Sequence, residues 1–242
     1  MPALSIIIPA YNEEARIGPT LERIGEYMLS SGMDYEIIVV DDGSTDDTRS
    51  VVSEAARRIS GLRLVENRVN RGKGFSVKNG FLNSSGRLML FSDADLSTPV
   101  EELEKFLPEM ERGADIVIGS RSLRESNIIK RQPIYRVLMG KTFNKLVRLL
   151  TVGGLVDTQC GFKLFKRDTC EPIFKAQKVE RFAFDVELLF LARKKGLTIC
   201  ELPVKWINSP QSKVHPVRDS VRMAFDLLQV RFNYLAGRYR IQ

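Results

Sequence analysis

Short apolar runs alternate with amphipathic stretches along the first half of the chain, and each run stops at a cluster of polar or charged residues. Leu4-Ser5-Ile6-Ile7-Ile8-Pro9 is closed by proline and predicts a buried strand. A helical pattern follows over about 13–30, and Tyr35 to Val40 predicts a second buried strand that ends in Asp41-Asp42-Gly43-Ser44. Residues 45–60 predict a helix capped by Ser44 or Thr45, and Leu62 to Glu66 a third strand. Asn70-Arg71-Gly72-Lys73-Gly74 predicts a loop, 75–84 a helix, and Leu88 to Ser92 a fourth strand ending in Asp93-Ala94-Asp95. Thr98-Pro99-Val100-Glu101 has the form of a capping box with proline at the first helical position, opening a helix to about Arg112. Asp115 to Gly119 predicts a fifth strand.

Strands that are apolar almost throughout, alternating with helices, predict an α/β fold: a mostly parallel, Rossmann-like sheet covered by helices on both faces. In such sheets ligands bind beyond the carboxyl ends of the strands. Those ends carry Pro9-Ala10-Tyr11-Asn12-Glu13, Asp41-Asp42, Asp93-Ala94-Asp95 and Ser120-Arg121. Polar residues therefore converge on one edge, which is the candidate site.

Beyond residue 121 the pattern changes. Arg121, Arg124, Lys130, Arg131, Arg136, Lys141, Lys145 and Arg148 face a single acid, Glu125, and this local surplus equals the whole-chain charge of +7. Ile134, Val137, Leu138, Leu146, Leu149 and Leu150 are spaced for one helical face, so 132–150 predicts a basic amphipathic helix suited to an anionic membrane surface. Residues 182–195 predict a helix and Thr198 to Trp206 a strand. The tail, 219–237, predicts an amphipathic helix with Val221, Ala224, Phe225, Leu228 and Phe232 on one side. Its aromatics Phe225, Phe232, Tyr234 and Tyr239 are expected in the core.

Composition narrows the picture. With 43 % hydrophobic and 28 % charged residues the 242-residue chain is not a disordered one, and its positive charge favours an anionic partner. Cys160, Cys170 and Cys200 form no CxxC and are odd in number, which argues against a disulfide framework and for a reducing compartment. His215 is the sole histidine, so a zinc site is not expected and a structural or solvated role is. No run approaches the roughly 18–20 apolar residues of a membrane span, and no signal-peptide pattern precedes the first strand. Any membrane contact is expected to be peripheral.

The strand ends suggest the chemistry. Asp93 and Asp95 lie two apart, so their side chains point the same way and suit Mg²⁺ or Mn²⁺ bridging a diphosphate. Asp41 or Asp42 could accept a hydrogen bond from a nucleobase. Gly72-Lys73-Gly74 lacks P-loop spacing and is either a plain turn or one that presents its lysine to a phosphate. Arg121 could pair with a phosphate in bidentate fashion. Asp185 and Glu187, two apart on a predicted helix, do not share a face, so only one is expected at the site.

Taken together, SIIIPAYNEE, IIVVDDGSTD, NRGKG, FSDADLSTP and IGSR resemble family 2 glycosyltransferases of the GT-A fold, in particular those acting on polyprenyl phosphates. In the second half VDTQCGFKLF, RFAFDVELLFLA, Val204-Lys205-Trp206, SKVHPVRDS and DLLQVRFNYL are similar to the branch that glucosylates dolichyl phosphate from UDP-glucose. They are less similar to the branch that transfers mannose from GDP-mannose. The resemblance implies that Pro9, Tyr11, Glu13, Val40 and Asp42 hold the nucleoside, and that Asp93, Ala94 and Asp95 bind diphosphate and metal. It implies Arg121 at the donor phosphates, Arg136 at the acceptor phosphate, and Ser212-Lys213 in a loop that closes over the donor. Where mannose-transferring members have a metal-binding glutamine and an acceptor serine, this chain has Ser97 and Gly140. Asp157 is assigned to orienting the sugar or an arginine.

The chain is thus expected to bind a nucleotide sugar with residues 1–121 and to meet acceptor and membrane with residues 122–242 of the same domain. The expected reaction is inverting transfer of a hexose, glucose from UDP-glucose first, to dolichyl or polyprenyl phosphate. It would use Mg²⁺ or Mn²⁺ and no general base, at the cytosolic face of a membrane, with no nucleic-acid partner. The alternatives are mannosyl transfer from GDP-mannose, a non-lipid acceptor, and a nucleotide-sugar-binding protein without turnover.

Overall fold

The computed structural model of the chain describes residues 2–130, 142, 147, 150–208 and 216–240. Arg136, Gly140, Ser212, Lys213, His215 and most of the expected basic helix over 132–150 lie outside the described residues.

The first half follows the predicted order closely. Strands β1 (Leu4–Ala10), β2 (Tyr35–Asp41), β3 (Leu62–Glu66), β4 (Leu88–Ser92) and β5 (Ile116–Ser120) alternate with helices α1 (Glu14–Ser31), α2 (Thr48–Ala55), α3 (Lys73–Asn83) and α4 (Leu103–Glu111). The second half adds β6 (Asn127–Lys130), β7 (Phe162–Lys166), α5 (Arg167–Ala176), α6 (Phe184–Lys194), β8 (Ile199–Pro203), β9 (Lys205–Ile207) and α7 (Pro216–Leu235).

Seven strands make one sheet in the order β3-β2-β1-β4-β7-β5-β8. All neighbours are parallel except at β7, which runs antiparallel to both β4 and β5. The stretch predicted as one strand over Thr198–Trp206 is two: β8 ends the main sheet beside β5, and β9 leaves it to pair with β6 in a two-stranded sheet. The break falls at Val204, whose N–H is drawn back to the Ser120 carbonyl at 3.2 Å.

Strand periodicity sorts the core onto two faces. Leu4, Ile6, Ile8, Ile37, Val39, Leu90, Val117 and Leu164 point to one face and pack with α1, α2 and α4. Ile7, Ile38, Val40, Met89, Phe91, Ile116, Ile118 and Phe165 point to the other and pack with α3, α5, α6 and α7.

Several predicted helix ends are corrected. Neither Ser44 nor Thr45 caps α2, which begins later, at Thr48. Their polar groups are committed across the cleft edge: the Asn12 N–H donates to Ser44 Oγ at 2.9 Å, and the Thr45 N–H to Asn12 Oδ1 at 2.8 Å. The capping box at Thr98 does not form. Pro99 is extended, a 3₁₀ turn spans Val100–Glu102, and the Thr98 hydroxyl lies against Cys160 Sγ at 3.7 Å. Lys73 and Gly74 belong to the first turn of α3 rather than to a loop. The glycine there is required by packing, because a Cβ on Gly74 would stand 2.6 Å from Phe184 Cβ.

The tail helix also differs. Val221, Phe225, Leu228 and Phe232 are exposed, and the buried side carries Met223, Leu227, Val230 and Asn233. Of the four tail aromatics, Phe225 and Phe232 stand in solvent. Tyr234 keeps an edge contact to Phe190 at 5.2 Å, and Tyr239 donates from its hydroxyl to Glu187 Oε1 at 2.6 Å.

Phe174 of α5 ties the two chain halves together, stacking on Phe81 of α3 at 3.9 Å and meeting Phe165 of β7 edge-on at 5.1 Å. Phe174→Ala is expected to cost about 3–5 kcal/mol of stability, measurable as a lower urea midpoint with unchanged slope.

Candidate active site

The connections reverse direction at β1: β2 and β3 lie on one side of it and β4 on the other. Such a switch point opens a crevice at the carboxyl edge of the sheet. Here it is a cleft of about 350 Å³. The end of β1 contributes Pro9, Tyr11 and Glu13, that of β2 Asp42, that of β4 Asp93, Ala94 and Asp95, and the start of α3 Gly72, Lys73 and Ser76. Three of the four predicted strand ends therefore line one cavity, and the Ser120-Arg121 end of β5 does not.

Two of its edges are stitched to each other. Beside the Asn12 bonds to residues 44 and 45, the Glu13 N–H donates to Thr48 Oγ1 at 2.7 Å and the Glu14 N–H to Asp46 Oδ2 at 3.2 Å. The first N–H groups of α1, which no helix can satisfy internally, are thus met by the loop after β2. Asn12 and Leu96 hold left-handed backbone at φ 53° and 45°, each directly beyond a strand-end cluster. This conformation is uncommon for a leucine and readily adopted by an asparagine in a turn.

Asp93 is placed by Gly161. Its N–H donates to the Gly161 carbonyl at 3.1 Å, and a Cβ on Gly161 would stand only 1.9 Å from Asp93 Oδ2. Only glycine at the entry to β7 lets the carboxylate sit where it does. Lys73 Nζ lies 2.5 Å from Asp93 Oδ1. Burial pulls the pKa of this lysine down, but the charges of Asp93 and Asp185 prevail and raise it above the usual range, so it remains an ammonium. Asp95 Oδ1 accepts the Ser97 N–H at 3.0 Å, and its Oδ2 is 3.9 Å from Arg16 Nη1.

Beneath this surface Lys163, fully buried on β7, stands 2.7 Å from Asp185 Oδ1. Burial raises the Asp185 carboxyl against the opposing pull of Lys163 and Lys73. Of the two α6 acids it is Asp185 that approaches the site. Glu187 instead accepts the N–H groups of Lys178 and Val179, at 3.1 and 2.8 Å.

Asp93 and Asp95 offer hard oxygen donors at one edge of the cleft. Among the described residues no group of three His, Cys, Asp or Glu side chains is arranged to hold a metal. A two-carboxylate set fits Mg²⁺ or Mn²⁺ completed by phosphate oxygens and water, and does not fit a closed structural zinc site. The cysteines are free, and burial raises the thiols of Cys160 and Cys170 to about 11 and about 12. They are therefore inert at neutral pH.

Other expected residues are placed as follows. Asp42 turns to the neighbouring loop: its carboxylate accepts Asn67 Nδ2 at 2.8 Å and the N–H groups of Arg71 and Gly72 at 3.0 and 2.7 Å. Gly72 can close that loop because it adopts φ 111°. The Val40 side chain is wholly buried in the core beside Gly80. Arg121 does not line the cleft. Its Nε and Nη2 donate to the two Asp157 oxygens at 2.7 and 2.9 Å, and its own backbone N–H adds a third bond. Glu201 of β8 holds the 156–157 backbone from below.

Sequence reasoning missed Arg16, Arg181, Phe182, Arg218, Asp219 and Gly161. Arg16 carried a usable signal, since it lies one helical turn from Glu13, whose Oε2 it meets at 2.7 Å. Gly161 carried none, because its role comes from β7 being laid beside β4.

Fold and cleft together are those of a GT-A glycosyltransferase. The chain belongs to glycosyl transferase family 2, whose family model matches residues 5–174. It is 39 % identical over 251 residues to the dolichyl-phosphate beta-glucosyltransferase of Dictyostelium discoideum, covering 99 % of this chain and 77 % of that one. To the human enzyme of the same name it is 37 % identical over 252 residues, with 99 % and 78 % covered. Among solved structures, mannosyl-3-phosphoglycerate synthase from Rubrobacter xylanophilus matches with a TM-score of 0.71 at 20 % identity, over 100 % of this chain and 77 % of that one. The Mycobacterium tuberculosis glucosyl-3-phosphoglycerate synthase complex with Mn²⁺, UDP and glucosyl-3-phosphoglycerate matches at 0.69 and 21 %, over 100 % and 81 %. At such identities these structures establish the fold.

The Arg121–Asp157 pair gives a pH signature. Burial pushes the Asp157 carboxyl up, but the Arg121 charge and hydrogen bonds prevail and hold it below the usual carboxylate range. A folded-state pKa below the unfolded one stabilises fully above the unfolded value of about 4, and the stabilisation is lost as pH falls through the folded value. Asp157→Asn is expected to lose about 3 kcal/mol at neutral pH by stranding Arg121. Thermal melts across pH should show the gap to wild type closing below about pH 4.

Proposed function

We propose that the protein transfers glucose from UDP-glucose to the phosphate of a dolichol or another polyprenol, by a single inverting displacement that depends on Mg²⁺ or Mn²⁺. The Asp93/Asp95 pair at the mouth of the cleft, in a chain this similar to dolichyl-phosphate beta-glucosyltransferases along nearly its whole length, carries the reading. The Mycobacterium tuberculosis glucosyl-3-phosphoglycerate synthase has been crystallised with Mn²⁺ and UDP-glucose, which favours the same donor and metal chemistry on this fold.

Asp93 and Asp95 would hold the metal, which when bound supplies charge neutralisation for the departing diphosphate. Pro9, Tyr11 and Glu13, which line the cleft, would hold the nucleoside. Lys73, kept cationic by Asp93, stands where the donor phosphates would lie. Asp42 shapes this wall indirectly by fixing the loop at Arg71 and Gly72. A phosphate monoester, with its second pKa near ~6, is already largely a dianion at neutral pH and needs no base to become a nucleophile. The acids near the cleft agree with that: Asp157 is locked to Arg121 and Asp185 to Lys163. The protein's task is then to hold two anions together, a matter of positioning and fixed charge. Arg121, paired with Asp157, is the candidate for the donor phosphates, Arg136 for the acceptor phosphate, and Lys213 for closure over the donor. Residues 1–121 would serve mainly the nucleotide sugar, and 122–242 the acceptor and an anionic membrane surface.

No described helix is long and apolar enough to cross a membrane. Peripheral attachment at the cytosolic face fits this observation and the free thiols.

The test is a panel of UDP- and GDP-sugars with Mn²⁺ or Mg²⁺ and a polyprenyl phosphate, scored by glycolipid formed. UDP-glucose should give product, chelation should stop it, and Asp95→Ala should reduce it at least ~10³-fold, the scale of a lost electrostatic group. Full activity in Asp95→Ala, or with chelator present, would sink the mechanism. Preference for GDP-mannose would replace glucose with mannose. Gly161→Ala should weaken Mn²⁺-dependent UDP binding by about 10–100-fold, by displacing Asp93, which calorimetric titration can read.

A further inference from the structure

The outward face of α7 meets no other element among the described residues. Val221, Phe225, Leu228, Phe232 and Leu235 succeed one another at the three- and four-residue intervals of a single helical face. They are 53, 67, 52, 59 and 78 % exposed. The opposite face, with Met223, Leu227 and Val230, is fixed in the core. The helix is therefore apolar on two sides, while among the described residues only one is packed in the core. A run of this length on a soluble surface marks a contact site rather than ordinary scatter.

The charges around the stripe identify the occupant. Arg222 and Arg231 are exposed and flank it on either side. The two acids of the helix lie away from it: Asp219 is buried and Asp226 is partly buried, with Arg222 and Arg181 near it. The outer surface is thus apolar along its middle and positive along its margins. Pairing with a second copy would set the same arginine margins against each other. A bilayer with anionic headgroups satisfies both parts at once.

We infer that the Val221–Leu235 face of α7 docks the protein onto an anionic lipid bilayer, with Phe225 and Phe232 entering the acyl boundary and Arg222 and Arg231 at the headgroups. The start of the same helix belongs to the cleft, since Arg218 and Asp219 line it. A bilayer held along this face therefore lies beside the mouth of the cleft, where a lipid-borne phosphate would be presented. The inference deepens the proposed lipid acceptor and rests on it for its purpose, while its geometry stands on α7 alone.

Vesicle flotation tests it with the full chain, using phosphatidylcholine alone and phosphatidylcholine mixed with phosphatidylserine. Wild type is expected to float with the mixed vesicles and more weakly with the neutral ones. Phe225→Ser with Phe232→Ser should lose at least about 30-fold in vesicle affinity with an unchanged melting temperature, since both side chains are already in solvent. Arg222→Gln with Arg231→Gln should lose only the preference for phosphatidylserine. Equal flotation of the phenylalanine variant and wild type overturns the inference, as does wild type that binds neither vesicle. Wild type that self-associates in sedimentation, with a monomeric phenylalanine variant and no vesicle binding, assigns the face to a second copy instead. Glucosyl transfer to a short-chain polyprenyl phosphate in detergent is read separately. Its absence in wild type would count against the proposed reaction and leave the vesicle result standing.

Discussion

Carboxylates gathered at one edge of a sheet repel one another unless each finds a cation or an N–H group. Here Asp41 accepts the Ser44 N–H, Asp42 the N–H groups of Arg71 and Gly72, Asp93 meets Lys73, Asp157 meets Arg121, and Asp185 meets Lys163. Much of the architecture follows from that balance. The 70–72 loop closes on Asp42, α3 starts where its lysine reaches Asp93, and β7 carries a charged side chain through the middle of the sheet. Asp95 has one backbone donor and an arginine at 3.9 Å. The edge is thus held together by its own cations, of which Lys73 also lines the cleft.

The first five strands were legible because each is an apolar run closed by polar residues, a pattern that depends on local sequence alone. The site was legible for the same reason, since the ends of parallel strands fall on one edge whatever the tertiary detail. What escaped was set by long-range contacts. β7 was hidden by Lys163, whose charge interrupts Phe162-Lys163-Leu164-Phe165 and is tolerated only because Asp185, from a helix 22 residues on, stands beside it. Ser44 and Thr45 looked like caps for the helix that follows them and serve the loop before α1 instead. Lys73 looked like a loop residue because two glycines flank it, yet those glycines are there to let α3 start close against Glu180 and Phe184.

The tail helix exposes a different weakness of pattern reading. Periodicity finds apolar faces but cannot say which of two will be turned inward. In α7 the more aromatic stripe lies outside, and the inner one includes Asn233 and Asp219. Likewise the pairing of Arg121 with Asp157 draws together residues 36 positions apart. A guanidinium expected to stand free for phosphate is largely committed to its own protein.

The position of β7 also governs how the chain can be assembled. β4 and β5 are consecutive strands in the sequence, yet in the finished sheet they are separated by a strand that begins more than forty residues after β5. Neither can complete its hydrogen bonding until the ribosome has delivered residues 162–166, and until then both present raw edges open to mispairing. Loop closure over that distance comes before the reward of the paired strand, so the central insertion is an inherently slow event. The glycine that seats Asp93 arrives with that same late strand, so the position of this carboxylate is set only once β4 and β5 have been joined through β7.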